Sequence, residues 1–252
     1  MRIFDTLRNR FRFRLTHSSK FPKGDLVSFF LNIQKRGFEP ACIVDIGANC
    51  GKWTSKAMRV FPQADYFLVE PQLEMAPELE RLCFHHRNVQ WLNAGVGDHC
   101  GELPFTVVPD TVSSSFTFSA NDAAASGYQQ RSIPLVTLDD IVDNHIGMIP
   151  DLVKIDAEGF ESRIMSAASK LIGKTELFLL EAPLIDPPNA EWSSLLELMQ
   201  MMKQLDYEVY DFTSFQRRPY DGAVGLCEIA FVRQGGLLRK YAGWVAPSSQ
   251  AA

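Results

Sequence analysis

The chain has no C-x-x-C pair, and its cysteines (Cys42, Cys50, Cys83, Cys100 and Cys227) are odd in number. Most lie beside apolar runs, so free buried thiols are expected instead of bridges or a zinc site. No apolar run approaches the roughly 20 residues that a membrane span requires. The N-terminus also lacks the apolar core of a secretory signal, because Phe11, Phe13 and Leu15 alternate with arginines. A cytoplasmic location is therefore expected. There is no surplus of positive charge either: the formal net charge is -5, which argues against a nucleic-acid binder. Residues 1–20 are the exception, with Arg2, Arg8, Arg10, Arg12, Arg14 and Lys20 set against Asp5 alone. Such an arm reads as a solvated lead-in helix, or as a peripheral contact for an anionic membrane surface or an acidic partner.

What the chain does have is core-forming material, 46% of 252 residues being hydrophobic, enough for one α/β domain with insertions. Apolar runs of strand length recur at 41–46, 65–69, 89–93, 152–155, 177–180, 208–212 and 225–232. Helical spacings of three and four fill 52–60, 73–85, 160–171 and 192–205 between them. Alternating strand and helix predicts a doubly wound, Rossmann-like α/β fold with helices on both faces of a mostly parallel sheet. Residues 101–136 break the rhythm. There, 102–108 and 131–136 read as extra strands around a polar stretch, 113–130, long enough to be a lid, a substrate loop or partly disordered. The expected organisation is a basic helical lead-in over 1–40, a domain over 41–245 with its insertion at 101–136, and a frayed tail over 246–252.

The chemistry starts at Ile43-Val44-Asp45-Ile46-Gly47-Ala48-Asn49-Cys50-Gly51. Asp45 falls near the carboxyl end of the first strand, where open α/β sheets hold ligands. Gly47 and Gly51 permit a tight turn, and the helix beginning at Lys52 offers free amides. Glu70 closes the next strand, about 20 residues beyond the turn, where a carboxylate accepts ribose hydroxyls. Two phosphate-binding patterns fail here. An NTP loop needs G-x-x-x-x-G-K-[ST], but this turn is one residue short and puts Trp53 where the hydroxyl belongs. A dinucleotide turn needs G-x-G-x-x-G, but Asn49 fills the middle glycine's place. S-adenosylmethionine carries no phosphate, and Asp45 beside the turn suits its α-amine.

Several blocks resemble the FkbM family of class I methyltransferases. Val44 through Gly51 resembles the first motif, Val69-Glu70-Pro71 the second, and Asn93-Ala94-Gly95-Val96-Gly97-Asp98 the third. Leu138-Asp139-Asp140, followed by Lys154-Ile155-Asp156-Ala157-Glu158-Gly159-Phe160-Glu161, is similar to the family's most specific block, L-D-D then K-I-D-x-E-G-x-E. Ser113-Ser114-Ser115-Phe116 resembles the small-hydroxyl stretch that follows the family's hairpin, and the whole resemblance runs from 41 to about 233. It implies a seven-stranded sheet with an antiparallel last strand, and S-adenosylmethionine bound by Asp45, Gly47, Ala48, Asn49, Gly51, Glu70, Pro71, Asn93, Ala94 and Gly97. It also implies methyl transfer to a hydroxyl of a glycan, glycoside or secondary metabolite. Two rivals are a catalytically inactive binding module in a biosynthetic complex and an NAD-dependent oxidoreductase.

Asp156 and Glu181 end two strands at the same sheet edge as Asp45, and Glu158 and Glu161 follow closely, so four acids are expected to crowd one cleft. Like charges raise one another's pKa, and such crowding marks functional sites. Lys154 shares the strand face of Asp156 and offsets the repulsion. Asp156 or Glu158 is the expected base, with Glu181 positioning the acceptor; Glu161 reads equally as a helix-start acid. Asp156 and Glu181 also stand where some O-methyltransferases of this fold hold Mg²⁺, and hard oxygen ligands suit that ion; the resemblance does not by itself imply a metal, so Mg²⁺ is possible but not favoured. His85, His86, His99 and His145 match no motif. Tyr207, Tyr210, Phe212, Phe215 and Tyr220, with Arg217 and Arg218, read as sheet residues more readily than as a sugar platform.

Overall fold

The computed structural model describes residues 22–109, 114–185, 192–241 and 243. The basic arm expected over 1–20 and the tail from 246 lie outside the described residues. A seven-stranded sheet organises the chain: β1 (Cys42–Ile46), β2 (Asp65–Val69), β3 (Val89–Leu92), β7 (Leu152–Ile155), β8 (Leu177–Pro183), β9 (Tyr207–Arg217) and β10 (Val224–Arg233), in the order β3-β2-β1-β7-β8-β10-β9. Neighbours from β3 to β8 run parallel, and β10 runs antiparallel to both β8 and β9. The order reverses between β1 and β7, which opens a crevice at the carboxyl ends of those strands. This is the expected sheet, antiparallel last strand included.

The central strands β1, β7 and β8 are apolar at nearly every position because helices cover both faces. Val44, Ile46, Val153, Ile155, Phe178 and Leu180 form one core layer, and Ile43, Leu68, Leu152, Leu177 and Leu179 the other, as the two-residue alternation of a strand requires. The helix α1 (Leu26–Lys35) belongs to the second layer through Leu26, Phe29, Phe30 and Ile33, spaced at three and four; Asp25 caps its start by accepting from the Ser28 amide. The helices α2 (Lys52–Met58) and α3 (Ala76–His85) add Ala57 and Leu79 to the same layer. No helix among the described residues is long and apolar enough to cross a membrane.

The expected insertion forms a second sheet. β4 (Gly95–Val96) pairs parallel with β6 (Gln129–Val136), and β5 (Gly101–Val107) pairs antiparallel with β6. The polar stretch between β5 and β6 is more ordered than its composition suggests. It carries α4 (Ala120–Ala125), capped by Ser119 and docked through the buried Ala123, although 110–113 lie outside the described residues. A small apolar residue inside a polar run is too weak a periodic signal to reveal that helix. The remaining helices are α5 (Leu138–Ile141), which continues into a π-type turn ending at Gly147, then α6 (Glu161–Ser166) and α7 (Leu195–Gln204).

One position fixes how β1 meets β7. Gly47 has φ +69°, and a Cβ there would lie 1.8 Å from the Asp156 carbonyl oxygen. Gly47→Ala is therefore expected to cost more than about 2 kcal/mol, combining a left-handed backbone penalty with a backbone clash. Urea unfolding measures the loss, and an unchanged midpoint would contradict this packing.

Candidate active site

A cavity of about 400 Å³ opens at the crevice between β1 and β7. The turn after β1 contributes Gly47, Ala48 and Asn49; the end of β2 contributes Glu70 and Pro71; and Ala94 comes from the third motif. Asn49 adopts φ 47°, a left-handed conformation that asparagine tolerates, and its side-chain oxygen accepts from the Cys50 amide at 2.8 Å. The Asn49 amide in turn donates to Glu70 Oε2 at 2.7 Å, while Glu70 Oε1 accepts from the Gln72 amide at 2.9 Å. The acid of the second strand thus ties down the glycine turn. Oε1 also accepts from Gln72 Nε2 at 3.2 Å, so it is Oε2 that keeps a further lone pair for a ligand hydroxyl. Burial pushes the Glu70 carboxyl above its ordinary pKa, against the pull of these hydrogen bonds.

Four of the expected cofactor residues do not line the cavity, and each has another task. Asp45 is fully buried: Thr54 Oγ1 donates to it at 2.6 Å and Lys154 Nζ pairs with it at 3.1 Å. It lies one residue inside the strand end, under α2, which corrects the expectation that it meets the cofactor's amine. Asn93 Nδ2 donates to the carbonyls of Glu70 and Pro71 at 2.9 and 3.1 Å and so holds that turn. Gly51 starts α2 at φ 74°. Gly97 leaves room for Leu135, which a Cβ would meet at 2.9 Å.

Lys154 is the hub. Its ammonium donates to the carbonyls of Ile46 and Gly47 at 3.2 and 2.8 Å and pairs with Asp45 at 3.1 Å and Asp156 at 3.3 Å. Burial alone would lower its pKa; the carboxylates of Asp156, Asp45 and Glu228 outweigh burial and raise it above the ordinary lysine value. This is a positioning lysine, charged and pinned. Asp156, Glu158 and Glu181 all line the cavity, with carboxylate oxygens within 4.8 Å of one another. Burial first, then the charges of Asp156, Glu158 and Glu161, push the Glu181 carboxyl well above the usual range.

Glu161 does not join them in the cavity. It is buried at the start of α6 and accepts from the Ala157 amide at 2.9 Å, so it shapes the turn that carries Glu158. The sequence missed Glu228, which lies opposite Glu181 across β8 and β10, accepts from the Thr213 hydroxyl and is pushed by burial to about 7. Apolar neighbours disguise it as an ordinary strand acid. Also missed were Phe105 and Phe116, which wall the cavity from the insertion with ring centroids 4.7 Å apart. A Cβ on Gly95 would meet Phe116 at 2.3 Å, so the third motif's glycine makes room for that ring. Ser115 Oγ donates to the Glu158 carbonyl at 2.9 Å, joining insertion to acid turn. None of the histidines among the described residues lines the cavity, and His99 is engaged by Asp98 at 2.7 Å. Nor do Tyr207, Tyr210, Phe212, Phe215 or Tyr220 reach it, although the neighbouring Gln216 does.

Acids outnumber lysines on the cavity wall, and Lys154 is already engaged by Asp45 and Asp156. That balance suits a cationic, phosphate-free nucleoside and repels a pyrophosphate.

Two substitutions probe this electrostatic frame. Lys154→Met leaves Asp45 buried and uncompensated, and is expected to cost about 3–5 kcal/mol in denaturant unfolding. Burial raises Glu161 from 4.5 to about 7, so the wild type loses stability as pH rises from about 4.5 through 7. Glu161→Gln escapes that loss. Its melting temperature should match the wild type below pH 4.5 and exceed it above pH 7, by the equivalent of roughly 2–3 kcal/mol; a constant offset would contradict the burial argument.

The sequence matches the methyltransferase FkbM domain over residues 45–209. No curated protein sequence matches the chain. Among solved structures, similar ones include a precorrin-6y C5,15-methyltransferase from Geobacter metallireducens. It is 14% identical with a TM-score of 0.46, over 86% of this chain and 96% of that one. Another is a 1,6-didemethyltoxoflavin-N1-methyltransferase from Burkholderia thailandensis, 13% identical with a TM-score of 0.43, over 82% and 76%. A third is a fibrillarin from Aeropyrum pernix, 11% identical with a TM-score of 0.42, over 76% and 66%. With the family's match spanning the glycine turn, the acid of the second strand and the acidic block after β7, the chain belongs to the FkbM methyltransferase domain family.

Proposed function

We propose that the protein uses S-adenosylmethionine to methylate a hydroxyl oxygen of a glycan, glycoside or secondary metabolite. The observation that supports this reading is one cavity lined both by the glycine turn with Glu70 and by Asp156, Glu158 and Glu181. Glu70 would accept the ribose hydroxyls, while Gly47, Ala48 and Asn49 let the backbone come close to the nucleoside. When bound, the cofactor supplies a methyl group already activated on a sulfonium.

The chain's own task is then to position the acceptor, exclude water and take a proton. Phe105 and Phe116 exclude water on the insertion side; positioning of this kind supplies on the order of 7–11 kcal/mol. An alcohol is too weak an acid to ionise first, so a base accepting its proton as the C–O bond forms and the C–S bond breaks adds about 10²- to 10⁴-fold. Asp156 is the better base of the two expected, because its side chain is 38% exposed and Lys154 holds it at 3.3 Å. Glu181, whose carboxyl also lines the cavity, positions the acceptor.

Single-turnover transfer of labelled methyl groups to a panel of sugar and metabolite alcohols tests the acceptor class. Label on oxygen supports the reading; label only on nitrogen or carbon acceptors would overturn it. The ribose assignment has its own test, because Glu70 also braces the turn. By calorimetry the wild type should prefer S-adenosylhomocysteine over its 2′-deoxy analogue by roughly tenfold, a hydrogen bond to a charged group. Glu70→Ala should erase the preference, and a retained preference would refute the assignment.

A further inference from the structure

We propose that Asp156, Glu158 and Glu181 form a binding site for a hard divalent cation, Mg²⁺ or Mn²⁺, at the acceptor end of the cavity. This deepens the proposed function, and its purpose, though not its existence, rests on that reading. Each of the three acids offers a carboxylate oxygen, and these oxygens lie within 4.8 Å of one another. They come from two separate elements, the β7 to α6 connection and β8, and all three face the same cavity.

Two features separate this cluster from acids that merely share a surface. Glu181 Oε2 is sealed from solvent and has no hydrogen-bond partner among the described residues. An unsatisfied buried oxygen is costly and rare, and a bound cation would satisfy it. The nearby ammonium does not: Lys154 engages Asp45, two carbonyls and only Asp156 of the three acids.

The turn is also held in shape before any ligand arrives. Glu158 has φ 50° and Gly159 φ 99°. Ser115 Oγ binds the Glu158 carbonyl, and Glu161 binds the Ala157 amide. Three carboxylates with no nitrogen or sulfur select oxygen-preferring ions such as Mg²⁺ and Mn²⁺. Such an ion keeps coordination positions for water or an acceptor hydroxyl, and lowers the pKa of an oxygen it binds.

The test is titration of the full chain with Mn²⁺ alone, free Mn²⁺ being followed by its electron paramagnetic resonance signal. Saturable binding at one site, displaced by Mg²⁺, is expected. Glu181→Gln and Asp156→Asn should each weaken it by roughly tenfold or more, while Asp98→Asn, at an exposed acid outside the cluster, should leave it unchanged. Far-UV circular dichroism and thermal melting report separately whether each variant still folds, and calorimetry with S-adenosylhomocysteine reports the cofactor site. No Mn²⁺ binding by the wild type at millimolar concentration would overturn the proposal. Undiminished binding in both cluster variants would do the same. Mn²⁺ binding without S-adenosylhomocysteine binding would sink the cofactor reading and keep the cation site; the converse would sink only the cation site.

Discussion

The ammonium of Lys154 is the interaction on which the site depends. It lies under the carboxyl edge of the sheet and joins the end of β1, the glycine turn, Asp45 and Asp156 at 2.8–3.3 Å. Without it, Asp45 would be a charge without a counter-charge in an apolar layer, and the Gly47 carbonyl would lose the ammonium that donates to it. With it, β1 and β7 meet closely enough that only glycine fits at position 47. The floor of the cavity and the orientation of Asp156 follow from this one buried charge.

Much of this was legible in the sequence because the physics is local. Strands covered on both faces must be apolar at successive positions, so the runs ending at Ile46, Val69, Ile155 and Leu180 could be read without tertiary information. Gly47, Asn49 and Glu70 were legible for the same reason: a tight turn and a following acid are separated by one strand and one helix. Asp45 was misjudged because its partner lies 109 positions away on β7 and turns a ligand-binding acid into a structural one. Glu161, which the sequence left open between cleft acid and helix-start acid, stands at a helix start, and its bond to the Ala157 amide makes it a brace for its neighbour. Glu228 was invisible because only antiparallel pairing with β8 sets it opposite Glu181.

The insertion shows a different limit. Its strands could be read from their alternation, yet Phe105 and Phe116 gave no sign that they would meet and wall the cavity. Their placement depends on Gly95 and on the contact between Ser115 and the Glu158 carbonyl. The segment that looked least structured by composition therefore connects the cofactor end of the cavity to the acid turn. The contact is direct, from the Ser115 hydroxyl to the Glu158 carbonyl at 2.9 Å.

The central claim is that the cavity beside Lys154 holds a phosphate-free adenosyl cofactor. Calorimetric titration of the full chain with S-adenosylhomocysteine and, separately, with NAD tests it most directly. The account predicts saturable binding of S-adenosylhomocysteine and no measurable heat from NAD. Tight NAD binding with no response to S-adenosylhomocysteine would contradict it.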